Sequence, residues 1–133
     1  MSRLTVFLAR SIGLFIILLV AGLFVRGGTV VETTAADGPL MLGYAIISLA
    51  TGVAMVVGHN LWSGGVLPVV VTLLGWLILA KGLLLLILSP EAIAGMMQQI
   101  RYAEHYREFL APALLIGFYL TWAGFTAPTA RER

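Results

Sequence analysis

Cysteine is absent from this 133-residue chain, which excludes disulfides, thiolate metal sites and iron–sulfur clusters. Charge is scarce. Charged residues make up 11% of the chain, against roughly 25% in soluble domains. Lysine occurs once, at Lys81, and no acid lies inside any long apolar run, so no carboxylate is placed to act as a base within one. There is no His-x-x-x-His pair, no glycine-rich phosphate loop and no Gly-x-Ser-x-Gly elbow. No catalytic residue, cofactor site or metal site is therefore expected, and the chain does not read as an enzyme. The formal net charge of +2 comes without any basic run, which leaves no footprint for nucleic acid.

What is present is apolar. Hydrophobic residues reach 60% and the mean hydropathy is +1.02. A soluble domain this small exposes too much surface to be covered by so few charges, so the surrounding solvent is expected to be lipid. Four apolar runs, about 8–25, 40–57, 66–88 and 109–126, approach or exceed the roughly 20 residues that span a hydrocarbon core of ~30 Å. Backbone groups in lipid must be satisfied within the segment. The Leu83–Leu88 stretch shows none of the alternation a barrel strand needs. The expected fold is all-α: one domain over 1–133, built as a four-transmembrane-helix bundle.

The basic start and first apolar run also fit a signal peptide, but Arg26-Gly27-Gly28 follows where a small-residue cleavage site would be expected. Segment 26–39 reads as a loop, locally extended at most over Thr29–Thr34. Ser89-Pro90-Glu91 reads as a helix start, with a capping serine, a proline at the first position and an acid in the first turn. From there to about 107, Ile93, Met96, Met97 and Ile100 recur at helical steps while Arg101, Glu104, His105 and Glu108 line another face. That pattern predicts an amphipathic interfacial helix before the fourth span, with Ile93, Met96 and Ile100 in the leaflet boundary. Small residues form seams in the later spans: Ala45, Ser48 and Gly52; Thr72, Gly75 and Gly82; Gly117, Thr121 and Gly124. Such seams let helices approach closely.

Orientation follows from arginines near the span ends. Arg3, Arg10, Arg131 and Arg133 fall on one side and Arg26, Arg101 and Arg107 on the other, which places both termini in the cytoplasm.

Six residues are candidates for function: His59, Asn60, Trp62, Thr72, Trp76 and Lys81. Lys81 lies about fifteen residues into the third span, roughly 10 Å from its far end at 1.5 Å per residue. An ionisable group at that depth is a functional candidate by default. The expectation is that it snorkels outward along its four-carbon stem; the alternative is an inward pair with Asp37, Glu91 or Glu104. His59 and Asn60 end the second span, where a histidine suits the negative end of the helix dipole. As a metal or proton site His59 lacks partners, since His105 falls on the opposite face. Trp76, near mid-span, needs an acceptor for its N–H if buried, and a threonine could supply one.

Segment 57–90 carries Val-Gly-His-Asn-Leu-Trp, then Thr72-Leu-Leu-Gly75-Trp76, Lys81-Gly82 and finally Ser89-Pro90. This resembles the shared core of an uncharacterised family of small four-helix bacterial integral membrane proteins, with His-Asn-x-Trp closing the second helix and Gly-Trp and Lys-Gly in the third. The resemblance covers about a quarter of the chain in detail. It implies a bacterial inner-membrane location and supplies no activity. The reading that results is an accessory or scaffold protein binding the lipid bilayer and other membrane proteins, with a small transporter using Lys81 and the outer acids as the alternative. Oligomeric state is left open.

Overall fold

The structure, a computed structural model, describes residues 1–128; Arg131 and Arg133, used above for orientation, lie outside them. Six helices follow one another: α1 (Arg3–Arg26), α2 (Thr29–Ala36), α3 (Gly38–Gly58), α4 (Val66–Ile87), α5 (Pro90–Gln99) and α6 (Tyr102–Thr126). No strand occurs among the described residues. Helices α1, α3, α4 and α6 are long and apolar enough to cross a membrane. Their outer surfaces carry fully aliphatic and aromatic side chains, such as Phe15, Leu18, Val25, Ile47, Leu77 and Leu115, all exposed. Only 22–28% of each apolar window is buried within the protein. Together these features are those of a multi-pass membrane protein.

Three boundaries differ from the sequence expectation. Helix α1 starts at Arg3 rather than near residue 8, because Ser2 caps it by accepting from the Thr5 N–H at 3.1 Å. Thr5 consequently lies inside the helix. Residues 29–36 are helical rather than a loop: Gly27, at φ 85°, turns the chain out of α1, and Ala35 is buried against Met41 and Ile93. A tertiary apolar contact thus secures a helix of only eight residues, too short to persist alone. The predicted single helix over 90–107 is broken at Arg101, which adopts the left-handed conformation at φ 52°. Helix α6 begins immediately after and bends at His105 (φ −109°, ψ 15°). Glu32 explains the new start: its carboxylate accepts from the Ala103 N–H at 3.2 Å, satisfying a donor that a helix N-terminus leaves open and placing negative charge at its positive end. Ile93, expected in the leaflet boundary, is instead 4% exposed inside the protein.

The long helices pack as two antiparallel pairs, α3 on α4 and α1 on α6. Glycine permits both contacts. A Cβ on Gly52 would come within 2.5 Å of the Leu79 backbone, and one on Gly13 within 2.6 Å of the Thr121 backbone. The small-residue seams of α3 and α4 face each other, with Gly82 against Ser48 and Leu49. Between the pairs contact is thinner and runs mainly from α4 to α1 and α6. One apolar cluster there, Ala9, Met55, Leu67, Val71 and Leu120, fills the end where His59 lies; a second, Ala35, Met41 and Ile93 with Leu85 and Leu88, fills the end where α2 and α5 lie.

Candidate functional site

Helix α3 ends because His59 leaves helical geometry (φ −147°, ψ 90°) while its N–H still bonds Met55 O at 2.7 Å. That extended backbone turns the imidazole inward, to 3% exposure. Its Nε2 lies 2.9 Å from Thr5 Oγ1 on α1, and its Nδ1 lies 3.3 Å from Thr72 Oγ1 on α4. Thr5 and Thr72 are themselves buried. Thr72 also donates to Leu61 O and accepts from Leu61 N–H, both at 3.0 Å. Beyond Thr5 the chain of bonds reaches exposed Ser2, whose Oγ is 2.6 Å from Thr5 Oγ1.

Counting donors orders the protons. The Thr72 hydroxyl hydrogen is committed to Leu61 O, so at Nδ1 the imidazole is the donor. In a neutral ring Nε2 is then the acceptor, and Thr5 O–H donates to it. Ser2 O–H in turn donates to Thr5. Each hydroxyl and ring hydrogen is then donated once. No buried side-chain polar atom among the described residues lacks a partner, which is what an interior of low dielectric requires. A ring with both nitrogens occupied has no free lone pair for a metal or a substrate. Its chemistry is that of a joint: one side chain from the α3–α4 pair grips α1 of the other.

Asn60 organises a second, exposed layer. Its Oδ1 accepts from Trp62 Nε1 at 2.8 Å and lies 3.5 Å from Trp76 Nε1. Trp76 is 44% exposed, so the condition of burial is not met, and its nearest acceptor is asparagine rather than a threonine. Thr72, the nearest threonine on α4, is engaged by His59 and Leu61 instead.

Lys81 stands apart from both layers. It is exposed, with Nζ 2.5 Å from Tyr44 OH on α3 and 4.6 Å from the centroid of that ring. None of the three acids offered as inward partners reaches it. Asp37 caps α3 by accepting from Leu40 N–H at 3.0 Å, and Glu104 pairs with Arg101. Glu91 stays at the start of α5, where its own N–H and the Ser89 hydroxyl hold its carboxyl below the ordinary range. His105 approaches only Arg101 O, at 3.4 Å, at the end of the bundle away from His59. Among the described residues no group of three potential ligands could hold a metal ion.

The structure thus brings His59 to Thr72, and Asn60 to both tryptophans, and leaves Lys81 separate. Sequence reasoning missed Thr5, Tyr44 and Arg10. Arg10, which donates to Gly124 O at 2.8 Å and lies 4.7 Å over the Phe125 ring, carried a signal as the one charge inside the first apolar run. Thr5 carried none. Between α1 and α3 an open groove of about 300 Å³ is lined by Leu4, Leu8, Thr51, Ala54, Met55 and Gly58. No family model matches the chain, and neither a curated protein nor a solved structure matches it.

Proposed function

We propose that this protein is an accessory or scaffold component of a membrane, acting through its outward face on lipid and on other membrane proteins. The observation that carries the reading is the direction of Lys81: it lies on the outer surface beside Tyr44 rather than in an internal polar path. A transporter working through Lys81 would need that ammonium and an acid along a common interior route. Of the four buried polar residues described, Thr5, His59 and Thr72 are consumed by one another at one end of the bundle, and Ser48 lies in the α3–α4 seam against Gly82. The resemblance of segment 57–90 to bacterial four-helix proteins supports an inner-membrane setting. The exposed Met96 of α5 and Ile100 at its C-terminal end support an interfacial position for that helix.

Capture of the tagged full chain from native membranes, followed by mass spectrometry, tests the reading. A stoichiometric membrane-protein partner is expected. Solute flux in proteoliposomes that is abolished by Lys81→Met would replace the scaffold reading with the transporter. With both termini cytoplasmic, alkaline phosphatase fused after Gly28 or Glu104 is expected to be active and after Ser63 inactive; the reverse pattern inverts the orientation.

A further inference from the structure

Two open grooves lie on α1, and they differ in where they end. The one shared with α3 is lined without any charged residue. The other holds about 290 Å³ and is lined by Leu18, Leu19, Gly22, Leu23, Arg26 and Val30. Its α1 residues stand three and four apart and so share one helical face. The opposite face of α1 is occupied by α6: Gly13 lies against Thr121, and the Phe24 ring centroid is 6.0 Å from that of Tyr106. Gly27, at φ 85°, turns the chain out of α1 and lets Val30 of α2 close one side of the groove. Each groove contains a glycine on which a Cβ would meet nothing within 4 Å, Gly58 in the first and Gly22 in the second. Glycine inside a helix is unfavourable beside alanine, and no close contact within the chain requires it at Gly22. Only the second groove ends on a cation. Arg26 is exposed in the last turn of α1 and makes neither an ion pair nor a side-chain hydrogen bond among the described residues. Arg10, Arg101 and Arg107 are all engaged within the chain.

Leu18 lies eight residues before Arg26, about 12 Å along the helix axis. The groove therefore runs from the end of the span through most of one hydrocarbon leaflet, roughly 15 Å deep. Left empty, it would deprive its lining atoms of dispersion contacts. A helix, about 10–12 Å across, is too wide for it, whereas one acyl chain is not. The arginine at its mouth selects what that chain carries. We propose that the groove seats one anionic glycerophospholipid, with an acyl chain over Leu18, Leu19, Gly22 and Leu23 and its phosphate on the Arg26 guanidinium. Parallel N–H donors of a guanidinium match two phosphate oxygens. A zwitterionic headgroup fits less well, because no acid lines the groove to receive its ammonium. Glu32, the nearest acid along the chain, is turned to the Ala103 N–H instead. The inference rests on the scaffold reading and gives its lipid-binding side a site.

Native mass spectrometry of the detergent-purified full chain tests it, with phosphatidylglycerol and phosphatidylcholine of identical acyl chains added in equal amounts. Wild type is expected to retain one phosphatidylglycerol in preference. Arg26→Gln should lower that preference about fivefold. Arg3→Gln should leave it, since Arg3 is equally unpaired but lies outside the groove. Gly22→Leu fills the groove with a good helix former, so the melting temperature should hold or rise. Retention of phosphatidylglycerol should fall tenfold or more, the equivalent of about two displaced methylene groups. Leu18→Trp blocks the same channel from an exposed position and should act alike. Equal retention of the two lipids by wild type overturns the proposal, as does equal loss in Arg3→Gln and Arg26→Gln. So does wild-type retention in both filled variants. Displacement of the lipid by soluble glycerophosphoglycerol at the same concentration would mean a phosphate site without a chain seat, and likewise overturns it. A partner captured from native membranes without any lipid preference overturns this inference alone. Lipid preference without a captured partner upholds it and sinks the protein-binding side of the scaffold reading.

Discussion

The two helix pairs are joined differently at their two ends. At one end a single buried imidazole bridges Thr5 of α1 and Thr72 of α4. At the other, two short helices close over Ala35, Met41 and Ile93, with Leu85 and Leu88 packed alongside. The polar joint uses few atoms and strict directions, so it fixes register; a one-residue slip of α1 would remove Thr5 from Nε2. The apolar clamp uses area and tolerates small shifts, but it exists only together with α2 and α5, whose folding it secures. A bundle with a thin interface between its pairs gains specificity from the first device and most of its end-closure from the second.

The largest expected effect is at the clamp. Ile93→Ala removes the α5 contribution to a buried cluster and should destabilise by about 2–5 kcal/mol. Hydrogen exchange should accelerate in α2 and α5 while the His59 end stays protected. Equal loosening of both ends would break the comparison. Next is His59→Ala, which removes the partner of two buried threonines at once. An expected loss of about 1–3 kcal/mol should appear in unfolding from micelles, with wider spin-label distances between the start of α1 and the end of α3. The double variant sharpens the point. The ends are separated by the length of α4, roughly 33 Å, so the two losses should add within about 0.5 kcal/mol. A clear excess would mean that the joint and the clamp form one cooperative unit.

A smaller effect is expected from Glu32→Ala, which leaves the Ala103 N–H open at the start of α6. About 1 kcal/mol is typical for loss of such a cap, read as faster exchange of the first turn of α6. The smallest concerns Glu91. Folding lowers its pKa below 4.5 through its own N–H and the Ser89 hydroxyl. Its contribution is therefore fully present above that ordinary value and is lost as pH falls through the depressed one. An acid titration should fray the first turn of α5 alone, seen in the Ala92 amide resonance, with the four long helices unchanged.

Composition and run length by themselves determined that the chain is helical and has four segments able to cross a membrane. Those properties depend on how many consecutive residues avoid water, which is written locally. The cap at Ser89 and the small-residue seams were legible for the same reason, since a cap acts within one turn and a seam is a periodicity on one helix. The helix over 29–36 was not legible, because its threonines and valines favour extended backbone and only the burial of Ala35 against Ile93 outweighs that preference. Nor was the break at Arg101, which depends on Glu32 some seventy residues earlier capping α6. His59 was visible as a residue of interest at a helix end, but not as a bridge, because Thr5 and Thr72 approach it from helices 54 and 13 residues away. The direction of Lys81 belonged to tertiary structure too: which side of α4 meets α3 decided that its ammonium finds Tyr44 at the surface. Burial in lipid is a property of segments, whereas hydrogen-bond partners between helices are fixed only when the helices dock.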